Sequence, residues 1–245
     1  MFPGIGTIIN VFAILIGASA GVLLGAKIPD RTRVLLTDIL GLATLLAAAG
    51  ALVALFSPQY ISALPRGFTL LTILAALLLG GLIGSALHLE DRLRRLGERL
   101  QTKFKASGEG TFLEGFISAS LLFAIGPLAI LGSISDGMSQ GIDQLILKST
   151  LDFFAAAAFA ASLGWGVAVA ALPVAIYQGL WTVVGVGLGR VLTGYQIDAM
   201  TITGGVLLIC ISLILLKIKI IAVGNLLPAL AVAPLFAWGL HAIAG

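Results

Sequence analysis

The chain has 245 residues, of which 59% are hydrophobic and only 10% are charged. Soluble domains carry about 25% charged residues, so this composition excludes an ordinary soluble domain and indicates several segments that face lipid. The net charge of +3 comes from loops, and no basic face suggests nucleic acid. With one cysteine and two histidines, the chain has too few ligands for an ordinary zinc site, and we expect no cofactor.

Apolar stretches of about 20 residues predict an all-α, polytopic transmembrane helix bundle with about eight spans. The expected spans are 5–26, 34–56, 67–87, 112–134, 146–163, 167–187, 200–216 and 221–243. Seven spans is the alternative, because the turn between the fifth and sixth segments, Gly164 to Gly166, carries no charge. We predict a single integral membrane domain over 1–245.

The first segment carries a ladder of small residues. Gly17, Gly21 and Gly25 are four apart and so share one helix face, where a second backbone can approach closely. Plain helix packing, a dimer seam and a thin pore-lining face all fit this pattern. No basic region precedes the segment, so we expect a retained helix and no signal peptide.

The stretch 89–110 is the one long polar region of the sequence. Leucines at 89, 93, 96 and 100 recur at helical spacing, which predicts an amphipathic helix followed by a linker. Its other faces carry six basic residues, Arg92, Arg94, Arg95, Arg99, Lys103 and Lys105. Such a helix suits an anionic cytoplasmic leaflet, although a solvated linker helix fits as well.

The distribution of Lys and Arg predicts the orientation. With the N-terminus outside, the inner side holds eleven of the 14 basic residues, and the outer side holds Arg66, Lys148 and Arg190. The opposite orientation violates the positive-inside rule. We therefore expect both termini outside a bacterial inner membrane.

The middle of the chain, 126–152, combines a broken backbone with charges. Gly126 and Pro127 predict a helix break, and broken backbone at membrane depth is tolerated where it is buried or lines a polar cavity. We expect 135–144, with Asp136, to form an outer loop. Lys148 and Asp152 are four apart and can pair at the mouth of the fifth helix.

These features give two functional hypotheses. The first is a secondary transporter or channel for a small ion or solute, with no ATP motif, no enzymatic activity and a homo-oligomeric assembly packed through glycine faces. Its path is expected to use polar residues beside the breaks: Asn10, Asp136, Lys148, Asp152, Gln178 and Asn225. Oxygen ligands favour a cation, whereas freed amides with Lys148 favour an anion, so the sign of charge stays open. The second hypothesis is a non-transporting assembly or signalling module that acts through the basic amphipathic helix.

Two passages also suggest an internal repeat. Residues 21–41 and 185–205 both read Gly-Val-x-Leu-Gly, then a basic residue, a polar linker and a new apolar helix. The first passage starts at the end of a helix that is expected to run inward. The second starts at the end of a helix that is expected to run outward. This is the pattern of an inverted-topology repeat, which many secondary transporters have, and chance similarity among Gly and Leu is the alternative.

The motifs GTIINVFAILIG, GPLAILGSISDG, KSTLDF with PVAIYQG, and VGNLLPAL occur in this order. With them the chain resembles the YqgA-like family of uncharacterised bacterial inner-membrane proteins over most of its length. The resemblance implies a multi-pass inner-membrane protein. It brings no substrate, cofactor or site residue to carry over.

Overall fold

The computed structural model describes residues 2–25, 29–103, 111–125, 127–188 and 192–244, and every regular element in these ranges is helical. The α-helices are α1 (Ile5–Gly25), α2 (Asp30–Leu52), α3 (Pro58–Ala63), α4 (Phe68–Ala86), α5 (Leu89–Lys103), α6 (Phe112–Ala124), α7 (Pro127–Gly137), α8 (Asp143–Leu163), α9 (Gly166–Val169), α10 (Ala171–Leu188), α11 (Gly194–Leu215) and α12 (Ala229–Ala244). Short 3₁₀ helices over Val53–Phe56 and Val223–Leu226 follow α2 and precede α12. The all-α prediction is therefore confirmed.

Seven helices are long and apolar enough to cross a membrane, and an eighth span is present if a bent pair counts as one. The seven are Ile5–Gly25, Val34–Phe56, Phe68–Ala86, Asp143–Leu163, Gly166–Gly187, Gly194–Leu215 and Val223–Ile243. The bent pair joins α6 to α7 at an angle of 61°. These spans agree with the predicted count of about eight, or seven.

The helices form two compact units. The first contains 1–41, 93–124 and 128–190, and the second contains 42–92, 125–127 and 191–245. The expectation of one integral membrane domain stays a prediction.

In the first unit, α1 and α8 pack with unusually close backbones. A Cβ added at each of the three ladder glycines would collide with a carbonyl oxygen of α8: Gly17 with Phe153, Gly21 with Ala157 and Gly25 with Ala161. The partner numbers rise together along both helices, so α1 and α8 run parallel. The glycine face is thus filled by the same chain, and it does not supply a seam for the expected homo-oligomer.

The direction of α10 follows from its contacts with α1 and from the parallel packing of α1 and α8. It begins just after the end of α8, which lies level with Gly25, and its Thr182 hydroxyl lies 3.5 Å from that of Thr7 near the start of α1. Therefore α10 runs antiparallel to α1. The side chains of Gln178 and Thr182, four residues apart, share the face of α10 that is turned to α1.

The second unit is built around a separate apolar core. Its buried members come from α3 and the residue that follows it, α4, α11 and α12: Tyr60, Leu64, Ile73, Ala76, Ala199, Ile202, Ala233 and Ala237. The Tyr60 hydroxyl donates to the carbonyl of Thr69 at 2.9 Å, and burial raises the pKa of Tyr60 to about 12.

The amphipathic helix predicted over 89–110 is present as α5, and its polar end beyond Lys103 lies outside the described residues. Arg92, Arg94, Arg95, Arg99 and Lys103 are exposed. Gly97 is buried, and a Cβ there would meet Leu113 and Phe116 of α6. One face of α5 thus packs on the protein, while its cationic face stays exposed.

Candidate functional site

A buried ion pair lies in the first half of α8. The Lys148 ammonium donates to Oδ2 of Asp152, and their side chains are only 7% and 10% exposed. Counted from Asp143, Asp152 is the tenth of 21 residues, about 14 Å from the helix start at 1.5 Å per residue. The predicted pairing is present, and α8 begins three residues earlier than expected, so both residues lie farther from the start of the helix.

Asn10 of α1 completes the neighbourhood of this carboxylate. Its side-chain nitrogen donates to Oδ2 of Asp152 at 3.0 Å. A carboxylate only accepts hydrogen bonds, so the amide must present its nitrogen to Asp152 and its oxygen elsewhere. Asn10 is fully buried, and its Oδ1 has no hydrogen-bond partner among the described residues.

The ammonium of Lys148 also faces an aromatic ring. Its Nζ lies 6.0 Å from the centre of the Phe123 ring in α6. A cation over a ring face is attracted by the ring quadrupole, more strongly where water is excluded. Three elements, α6, α8 and α1, therefore supply groups that contact one ammonium–carboxylate pair.

Gln178 of α10 lies at the same level. Asn10 is one turn beyond Thr7 on α1, and Gln178 is one turn before Thr182 on the antiparallel α10, so both amides lie on facing surfaces at equal depth. Gln178 is fully buried, and within the described part of the chain neither its nitrogen nor its oxygen has a partner. A buried amide without partners costs roughly 1–3 kcal/mol, so such a group calls for a reason.

Asp136 is buried in α7 and is not in the outer loop predicted for it. Its Oδ2 accepts hydrogen bonds from the backbone nitrogens of Gly4 at 3.1 Å and Gly6 at 3.0 Å. These N–H groups lie at the N-terminus of α1, where the helix supplies no carbonyl partner for them and its dipole favours a negative charge. The loop prediction failed because low hydropathy near a chain turn looks the same whether a carboxylate is solvated or caps another helix.

Asn225 belongs to the second unit, whereas Asp152 belongs to the first. Its side-chain oxygen accepts from the backbone nitrogen of Glu90 at 2.9 Å, and the Glu90 carboxylate accepts from Gly224 at 2.7 Å. This reciprocal bonding joins the start of α5 to the 3₁₀ turn before α12. The path role predicted for Asn225 stays a prediction.

The predicted break lies between α6 and α7. Helix α6 ends at Ala124, and Pro127 is the first residue of α7, where proline loses no hydrogen bond. Gly126 lies outside the described residues. Phe123, just before this break, was missed by the sequence reasoning, and an aromatic residue in an apolar run gives no signal that could have singled it out.

The fold and this site define the class: a helical membrane protein with several apolar spans and a charged pair buried within one of them. A family model described as "Protein of unknown function (DUF554)" matches residues 5–238, so the chain belongs to that family. Its relatives include the "Uncharacterized protein YqgA" of Escherichia coli (strain K12), 33% identical over 94% of both chains. The "Uncharacterized membrane protein YdfK" of Bacillus subtilis (strain 168) is 30% identical over 97% of both. No solved structure matches the chain.

Proposed function

We propose that this protein is a secondary transporter or channel for a small ion or solute in the bacterial inner membrane. Its site comprises Asn10, Lys148, Asp152 and Gln178, all in the first unit. The observation that carries the proposal is the Lys148–Asp152 pair, which is buried in the first half of an apolar helix with Asp152 next to its midpoint.

Burying a charged side chain inside a membrane helix is energetically unfavourable. On insertion scales a charged residue at the centre of a membrane helix costs about 2.5–3.5 kcal/mol. Even when paired, buried charges are often no more stabilising than apolar residues of the same volume. A pair that stability alone does not favour is typical of a path for ions or polar solutes.

The unpartnered amide groups add to this argument. A purely structural polar cluster satisfies its hydrogen-bonding groups internally. Here Asn10 keeps a free oxygen, and both polar atoms of Gln178 are free among the described residues. A transported species passing this level would satisfy them.

The inverted-topology repeat is part of the proposal. It would pair α1 with α10 and α4 with α12. Helices α1 and α10 run antiparallel, and so do α4 and α12, since Gly80 lies against Ala229 and Gly84 against Asn225. Antiparallel packing of corresponding helices is what a two-fold axis in the membrane plane requires.

The test is a flux assay in proteoliposomes. Asp152→Asn and Lys148→Met are compared with wild type and with Arg94→Met, which breaks an exposed pair of the same spacing, Arg94–Glu98. We expect at least a tenfold loss of flux in both site variants and none in the control. Unchanged flux in both site variants removes this site from consideration.

A second candidate is a non-transporting assembly or signalling module that acts through α5. The exposed basic face of α5 favours it, because each such residue near an anionic leaflet contributes about 1 kcal/mol. Replacing Arg92, Arg95 and Arg99 by Gln preserves the packing of Gly97 and should reduce binding to anionic lipid. Normal lipid and partner binding by this variant would eliminate the candidate.

A further inference from the structure

We infer that the site takes a small monovalent cation, which competes with the Lys148 ammonium for the carboxylate of Asp152. The inference rests on the proposed function and adds the sign of charge, which the sequence leaves open. It uses only groups of the first unit.

The charged and helix-terminal groups that could have received an anion already donate to carboxylates, and the buried donors left without a partner among the described residues are the neutral nitrogens of Gln178 and Trp181. The backbone nitrogens of Gly4 and Gly6, at the start of α1, donate to Asp136. The Lys148 ammonium and the Asn10 nitrogen both donate to Asp152. Bringing an anion here would break one of these pairings and place like charges together at low dielectric.

The oxygens that remain suit a cation. Asn10 Oδ1 is held in place because its nitrogen is bound to Asp152, and it is fully buried without a partner in the described part of the chain. The oxygen of Gln178 is also buried without a partner among the described residues, so it is a second amide oxygen available to a ligand. One carboxylate and two amide oxygens form an oxygen-rich set, and hard cations prefer oxygen ligands.

Lys148 already shows what the site binds. Its ammonium contacts the Asp152 carboxylate and faces the Phe123 ring. These are the groups that would recognise a free ammonium, a small primary amine or an alkali ion. Because Lys148 has a flexible four-carbon stem, it can leave Asp152 while remaining attached to α8, so a cation and Lys148 can alternate on one carboxylate.

The experiment measures cation-dependent stabilisation of the full chain purified in detergent. Thermal unfolding is followed in sodium, potassium, ammonium and methylammonium chloride, balanced with N-methylglucamine chloride at constant ionic strength. A cation that binds only the folded protein raises the melting temperature with concentration. We expect the melting temperature to rise with at least one of the four cations. Comparison of sodium and potassium with ammonium and methylammonium shows whether the site prefers an alkali ion or an amine.

Variants test the competition itself. Lys148→Gln should lower the half-saturating cation concentration about tenfold or more, because the internal competitor is gone. Asp152→Asn should abolish the shift, and the paired variant Lys148→Met with Asp152→Leu should abolish it without leaving an unpaired charge. Arg94→Gln should behave as wild type.

Several results would overturn the inference. The melting temperature of the wild type could stay unchanged with all four cations, or its rise could persist in the paired variant. The melting temperature could also change when chloride is replaced by another anion at constant sodium concentration. Failure of the cation-site inference is distinguishable from failure of the transport proposal. Cation binding without flux of any species upholds the cation site and refutes transport. Flux of an anion or an uncharged solute that ignores these cations upholds transport and refutes the cation site.

Discussion

Lys148 and Asp152 lie on successive turns of α8, so the helix itself brings their charges together. Arg94 and Glu98 of α5 have the same spacing, but their side chains are 63% and 50% exposed. The two pairs therefore differ mainly in burial. Their comparison separates the effect of a low-dielectric setting from the effect of geometry.

We predict that Lys148→Met or Asp152→Asn alone lowers stability by about 3–5 kcal/mol, because each leaves an uncompensated buried charge. The paired variant Lys148→Met with Asp152→Leu should be much less destabilised than either. Breaking Arg94–Glu98 should cost only about 0.3–0.5 kcal/mol. Thermal unfolding in detergent followed by tryptophan fluorescence measures all of these. Equal losses in the single and paired variants would contradict the burial argument.

Asp136 provides a different kind of electrostatic contact, since its partners are backbone nitrogens and carry no formal charge. We predict that Asp136→Ala lowers stability by about 1–2 kcal/mol through loss of a cap on α1. Asp136→Asn should lose less, because its oxygen can still accept. Asp143→Ala is the matched control, since that side chain is exposed in the first turn of α8. Similar losses at both positions in the unfolding assay would argue against the capping role.

At the scale of elements, the sequence predicted the helices well and their partners poorly. Apolar windows placed most spans within a few residues, because lipid-facing helices must be apolar over their whole length. The start of α8 was missed because Asp143 lowers the hydropathy, although an acid in the first turn favours a helix. The glycine ladder indicated a close backbone contact but could not name α8, which lies more than 130 residues away.

The glycine contact makes its own prediction. Gly21→Ala should destabilise the protein by about 1–3 kcal/mol or more, because the added Cβ collides with the carbonyl of Ala157 and forces α1 from α8. Gly179→Ala in α10 meets nothing within 4 Å and should be neutral or gain up to about 1 kcal/mol from helix propensity. The yield of monodisperse protein and its melting temperature report the difference. A neutral Gly21→Ala would mean that the two backbones are farther apart.

At the scale of the whole molecule, the parallel direction of α1 and α8 limits the number of spans. Both helices start on the same side of the membrane, so the chain crosses it an even number of times between their starts. Helices α1, α2 and α4 account for three crossings if each spans once. We therefore predict that the bent pair α6–α7 provides the fourth crossing as a broken span and not as a re-entrant loop, for a total of eight spans.

We expect the end of α5 and the turn after α7 to lie on opposite sides of the membrane. In a Cys210→Ser background, Thr102→Cys in α5 and Gln140→Cys after α7 place single thiols at exposed positions. With the basic helix inside, a membrane-impermeant thiol reagent added to intact cells should label Cys at 140 and spare Cys at 102. Inverted membrane vesicles should give the reverse. Labelling of both thiols from one side would make α6–α7 a re-entrant loop, and it would conflict with the parallel packing of α1 and α8.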